Sequence, residues 1–246
     1  MTNRSHKSPL RLRGLTVLLG TVLSPPSPSV LAQAGRPVVH VFLPLDAKSS
    51  VVEKTLQARL PELAVTVFGR VRDFDDAGSA RKPDAVLSIG PVLEARGAKP
   101  VLQGLRGGKA TEPYLLASVG QPLAGSLAGK TIGVVDLLGR EGTQAFITGL
   151  LKTSDVKTKR VAKVEDLLPL LEFSAADGIV LPESMLAKFL ERTRLPVKTR
   201  ELPGGQVGLP AVAVLNPAVR EQIVGAFQRL DGSTKRSLGV DDWSAR

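Results

Sequence analysis

The sequence predicts an α/β fold in which mixed, mostly parallel sheets are flanked by helices. Three observations predict it. Short apolar runs of β type alternate with helical stripes along the chain, Gly, Pro, Asn and Asp punctuate the alternation, and the rhythm restarts after Gly129.

The elements follow in order. Val38 to Leu43 is a short apolar run of β type. Val52, Leu56 and Leu60 then recur at helical spacing, and Ser50 with Glu53 reads as a capping box at the helix start. Ala64 to Phe68 is a second strand, and Asp84 to Ile89 a third that ends in Gly90-Pro91. Pro100 to Gln103 and Tyr114 to Val119 continue the series. Thr131 to Val135 is a strand, followed by a helix carrying Phe146, Ile147, Leu150 and Leu151. Val164, Leu167, Leu168 and Leu171 form a further apolar stripe. The cations Lys152, Lys157, Lys159, Arg160 and Lys163 read as a solvated connection between those two helices. Asp177 to Leu181 is a strand, and Pro182 sits where the helix of Met185, Leu186, Phe189 and Leu190 should begin. Pro196 to Glu201 and Leu209 to Leu215 are the last strands. Asn216-Pro217 then caps the stripe Val219, Ile223, Phe227 and Leu230, and Leu238, Val240 and Trp243 of the tail are expected to dock on the body.

The N-terminus indicates the compartment. Arg4, Lys7, Arg11 and Arg13 make a positive region without an acidic residue, the apolar stretch Leu15 to Leu23 follows, and Ala32-Gln33-Ala34 offers the small-x-small pattern of signal cleavage. An uncleaved anchor would need about 20 apolar residues, far more than this stretch supplies. Residues 1–34 are therefore expected to be a signal peptide, cleaved near Ala34, and the product to be periplasmic. The leader takes four of the basic residues and none of the acidic ones from a formal net charge of +10, which leaves +6 on the remainder. A basic surface suits anionic partners. With seven Phe, one Trp and one Tyr, and no basic stretch interleaved with them, base-stacking platforms are not expected and nucleic acid is not a predicted partner.

Motifs for covalent or metal chemistry fail. Gly125-Ser-Leu-Ala-Gly129-Lys130-Thr131 has three residues between its glycines where a phosphate-binding P-loop has four, and it precedes a strand instead of following one. His40 is the one histidine outside the leader and the chain has no cysteine, so neither a structural zinc site nor a Ser-His-Asp triad has its parts. No metal, no cofactor and no enzymatic activity are expected.

What remains is a set of strand-to-helix turns. In open α/β sheets ligands gather at the carboxyl ends of strands, where helix N-termini offer unpaired N–H groups. The first turn, Pro44 to Ser50, brings Ser49 and Ser50, which serve equally as helix caps. The second brings Ser88 and Gly90, open between ligand contact and ordinary turn chemistry. The third runs from Asp136 to Thr143. There Gly139 and Gly142 allow close backbone approach, Thr143 adds a hydroxyl, and Arg140 is either a bidentate grip on an anion or a solvent-facing partner of Glu141 or Asp136. The fourth candidate, Asp177, either meets a ligand or pairs with a neighbouring base. Asp46 and Lys48 read as exposed charges.

On these residues the chain resembles the type 2 periplasmic binding proteins, in particular the phosphate/phosphite/phosphonate group of ABC-transporter substrate-binding proteins. The resemblance lies in Pro83-Asp-Ala-Val-Leu-Ser-Ile-Gly90, in Leu127-Ala-Gly-Lys-Thr-Ile-Gly-Val-Val-Asp136 running into Gly139-Arg-Glu-Gly-Thr143, and in Asp177-Gly-Ile-Val180. It implies a two-lobed α/β fold, with residues 35–117 and 203–246 forming one lobe and residues 118–202 the other. Tyr114 to Gly120 and Leu202 to Gly208 would cross between the lobes. It further implies capture of a small molecule for an ABC permease, or for a membrane sensor, by a monomer. An anionic or zwitterionic solute is expected from Arg140 and the helix N-termini, since the third turn offers one hydroxyl and two opposite charges.

Overall fold

Branched and aromatic side chains at successive positions make Val38–Phe42 a strand that is buried on both faces, as a central strand of a covered sheet must be (β1). The computed structural model describes residues 35–246, so the predicted leader lies outside the described residues. After β1 come helix α1 (Ser49–Arg59), β2 (Ala64–Phe68), α2 (Val71–Ala80), β3 (Ala85–Ser88), the short α3 (Gly90–Glu94), β4 (Pro100–Leu105) and β5 (Thr111–Val119). The middle of the chain supplies β6 (Thr131–Val135), α4 (Gly139–Leu151), β7 (Lys157–Val161), α5 (Leu167–Glu172), β8 (Gly178–Pro182), α6 (Glu183–Glu191) and β9 (Val197–Gly208). The chain closes with β10 (Ala211–Val214), α7 (Arg220–Gln228), α8 (Gly232–Ser237) and β11 (Asp242–Ala245). No described helix is long and apolar enough to cross a membrane.

The strands form two mixed sheets. One has the order β11-β4-β10-β3-β1-β2 and the other β7-β6-β8-β5-β9. Parallel pairs occur within the βαβ units, β1 with β2 and β3, and β6 with β7 and β8. The antiparallel pairs come from the long β5 and β9, which lie side by side in the second sheet, and from β10 and β11, which return to the first. The first sheet is thus made from both ends of the described chain. Leu238, Val240 and Trp243 are buried, as their apolar character predicts, and Trp243 packs edge-on to Phe227 at 5.9 Å.

Three local readings change, and one helix has no counterpart in the sequence reading. The capping box does not form: α1 begins after Lys48 without a side-chain cap, and Glu53 instead accepts a bond from Val67 N of β2 at 2.8 Å. Residues 71–80 are helical, with Val71 and Phe74 as the buried contacts. The lysine-rich connection contains a strand, β7, at the edge of the second sheet, where its charges blunt an otherwise open ladder. The stripe starting at Val164 is broken into a 3-10 turn and α5.

Three apolar clusters fill the interior. One lies under the first sheet and two flank the second. The first cluster also includes Leu137 from the turn after β6, with Val135, Leu138 and Phe146 packed against it. The two halves of the molecule therefore share apolar contact.

Candidate ligand cleft

The carboxyl ends of β1 and β2 face the carboxyl ends of β6 and β7 across a cavity of about 260 Å³. Its first-sheet wall comes from the β1–α1 turn (Pro44, Leu45, Lys48, Ser49) and the end of β2 (Phe68, Gly69). Val135 and the segment Ala162–Glu165 supply the second-sheet wall. The position follows from parallel βαβ topology, which points every strand of a unit the same way and collects the strand-to-helix turns on one rim. Polar groups at the rim are Lys48, Ser49, Lys163 and Glu165, and the last two pair loosely at 3.4 Å. The amino end of α1 also opens here, and its first turn carries no acidic residue and no side-chain cap. Its free N–H groups are therefore available to an acceptor.

Next to this cavity the carboxylate of Asp46 receives both terminal nitrogens of Arg192, at 2.7 and 2.8 Å. Asp46 belongs to the β1–α1 turn and Arg192 follows α6, so the pair spans the cleft. Beneath it lies a small apolar hollow lined by Val164, Leu168, Met185 and Phe189.

The other predicted residues are distributed around the fold. Of the eight, Ser49 lines the cavity, and Ser50, its exposed neighbour, lies one position further along α1. The Ser88 hydroxyl is fully buried and donates to the Phe42 carbonyl, tying β3 to β1. Gly90 abuts Gly208, where an added Cβ would sit 3.1 Å from its Cα. Thr143 is also fully buried. Its Oγ1 donates to Asp136 Oδ1 at 2.9 Å and accepts from Leu138 N at 3.0 Å, while Arg160 holds the other oxygen of Asp136. A Cβ on Gly142 would come within 2.7 Å of Leu138 Cβ, so this glycine serves the turn's own packing. Arg140 is exposed on a shelf between α4 and edge strand β7, beside Lys157, Lys159 and Arg160. Asp177 lies at the opposite ends of the strands from the cavity. It accepts from Thr131 N at 2.8 Å and Lys130 Nζ at 3.1 Å, and the Thr131 bond is the main reason its carboxyl titrates below the usual range.

Lys48 is exposed, as it reads in sequence, whereas the Asp46 side chain is only 18% exposed; both residues frame cavities. Arg192, Lys163 and Glu165 carried no local signal. Away from the cleft, His40 is buried against Phe68 and Phe74, and its Nδ1 has no partner among the described residues. Burial first, and the charge of Arg81 second, hold its imidazole below the usual histidine range. Among the described residues no group of three His, Asp or Glu is placed to hold a metal ion.

Two mixed sheets flanked by helices, facing one another across a rim of strand-to-helix turns, define the two-lobed periplasmic-binding-protein-like fold. Its solved neighbours include periplasmic Venus-flytrap and solute-binding domains. The periplasmic VFT2 domain of Bordetella pertussis BvgS superposes with a TM-score of 0.53 at 14% identity, covering 85% of this chain and 96% of that one. Arginine-bound ArgBP from T. maritima gives 0.54 at 14% identity, over 86% of this chain and 100% of that one. XAC2383 from Xanthomonas citri, bound to a chloride ion, gives 0.57 at 15% identity, over 85% and 91%. No family model matches the sequence, and no curated protein matches it.

Proposed function

We propose that the chain is a periplasmic solute-binding protein that holds one small anionic or zwitterionic molecule between its lobes for an ABC transporter, without transforming it. The observation that carries this reading is the cavity between Ser49 and Lys163, built from strand-to-helix turns of both sheets. At about 260 Å³ it falls below the roughly 300–1,000 Å³ of pockets for drug-sized ligands, so its occupant is small. The free amino end of α1, with Lys48 and Ser49, suits a carboxylate or a phosphate-like group. Glu165, only loosely paired with Lys163, suits an ammonium group, so that a zwitterion would satisfy both signs.

Phosphate and phosphonate belong in the first panel of candidates because of the sequence resemblance, and amino acids belong there because neighbours of the same fold bind them. On this reading the lobes are residues 35–117 with 203–246, and residues 118–202. The chain hinges within β5 and β9, works as a monomer and follows export with cleavage near Ala34. The likeness to the VFT2 domain of BvgS supports a second reading, a ligand-sensing module for a membrane partner. A permease and an ATPase encoded beside the gene favour transport, and a sensor kinase there favours signalling.

Native mass spectrometry of protein purified from its own periplasm, followed by thermal shift with the released solute, tests the reading. A solute at 100 times its dissociation constant raises stability by about 2.7 kcal/mol. A panel of anions, amino acids and periplasmic extract that leaves the melting temperature unmoved overturns it. Turnover of a bound solute would replace it with an enzyme.

A further inference from the structure

Two features join the lobes through the chain's own side chains. The first is apolar and central. Leu137, in the turn after β6, is 3% exposed and is part of the buried cluster under the first sheet, with Val135, Leu138 and Phe146 packed against that cluster. These residues come from the second sheet and α4, so they cross the seam between the lobes. The turn that presents them is fixed from behind: Thr143 is bonded to Asp136 and to Leu138 N, Arg160 holds Asp136, and Gly139 takes the left-handed conformation (φ 73°) that starts α4. Polar groups that satisfy one another in this way, with Thr143 fully buried and Asp136 and Arg160 half-buried, make a stiff support.

The second feature is polar and lies at the flank. Asp46 and Arg192 meet in a bidentate pair whose two bonds fix both distance and orientation. Val164, Leu168, Met185 and Phe189 underlie it and exclude part of the solvent that would weaken it.

We propose that Leu137 with its apolar neighbours and the Asp46–Arg192 pair hold the lobes together as a plug and a latch, so that the closed form does not wait for solute. A solute then enters the flank cavity between Ser49 and Lys163, because the middle of the seam is already filled by leucine. Solute binding changes the separation of the lobes little. The closure without solute concerns the protein alone and is tested on the empty protein, whereas entry of a solute at the flank rests on the function proposed above.

The chain has no cysteine, which makes a two-label distance measurement direct. A58C and A187C place one label on an exposed position of α1 and one on α6. The doubly labelled protein is unfolded in denaturant, dialysed and refolded to remove captured solute, and native mass spectrometry checks that it is empty. Pulsed electron spin resonance is then expected to return one narrow, short distance. R192Q in the same background is expected to add a longer component, as is 1 M salt, while L137N is expected to shift most of the population to it. A broad or two-peaked distribution in the empty parent protein overturns the proposal. An R192Q distribution that matches the parent also overturns it, and this variant changes an exposed side chain, so the test survives even if L137N does not fold.

Discussion

The turn after β1 and the turn after β6 occupy equivalent places on the rims of the two sheets, yet they use their polar groups in opposite ways. In the β6 turn the hydroxyl and the second glycine singled out from sequence are engaged by the turn itself, since Thr143 bonds Asp136 and Leu138 and Gly142 lies against Leu138, while Arg140 lies exposed on the outer shelf. Both helices start without a side-chain cap, but the β1 turn sets Lys48 and the Ser49 hydroxyl at a cavity. A glycine-rich turn with a hydroxyl is thus not by itself a binding turn. What decides is whether the hydroxyl already has partners.

That contrast breaks most readily at its apolar end. Leu137→Ala should lower unfolding stability by about 2–5 kcal/mol, the range for emptying a buried leucine site, and denaturant titration would show it as a lower midpoint. If the loss is below about 0.5 kcal/mol, the β6 turn is not the packed element described here. Thr143→Val comes next. It leaves Asp136 and Leu138 N each short of a buried partner and should cost about 1–3 kcal/mol while sparing solute affinity. Lost affinity without lost stability would make Thr143 a ligand contact after all.

The β1 turn should show the reverse behaviour. Lys48→Gln with Ser49→Ala is expected to weaken solute binding about 10-fold by calorimetry, the scale of one charge-assisted hydrogen bond, with little change in melting temperature. Arg140→Ala, on its outer shelf, should leave affinity unchanged.

A smaller effect is set by pH. The imidazole of buried His40 titrates below its ordinary value of 6.5, so the unfolded chain binds the proton first as pH falls. Its contribution is therefore complete above about pH 6.5 and is lost progressively as pH drops below that toward the folded value. His40→Gln should flatten this part of the stability profile. Asp177 has the same direction of shift from 3.8, and its contribution is likewise present above that value and lost on further acidification. With its side chain 37% exposed, Asp177→Asn is expected to have the smallest effect of the set.

Much of the fold was legible because apolar periodicity is local. Val38–Phe42, Ala64–Phe68 and Thr131–Val135 announce themselves within a few residues. Strand β7 did not, since Lys157-Thr-Lys-Arg160 at a sheet edge has no apolar alternation to read. Helix α2 did not either, because only Val71 and Phe74 face the core. The site was harder for a different reason. Ser88, Thr143 and Asp177 belong to residue types that bind ligands and also fasten strands and turns, and residue type alone does not separate the two roles. The Asp46–Arg192 contact joins positions 146 apart, which no local pattern reports.

The strand order of the first sheet bears on how the molecule is made. β10 sits between β3 and β4, and the outer partner of β4 is β11. The second sheet, from Thr111 to Gly208, has all its strands in hand before either of those is synthesised. The half that contains β1 is thus completed after the other, and the gap between β3 and β4 stays open until β10 follows β9. Deleting β11 would strike the sheet built around β1, leaving the half from Thr111 to Gly208 free to fold.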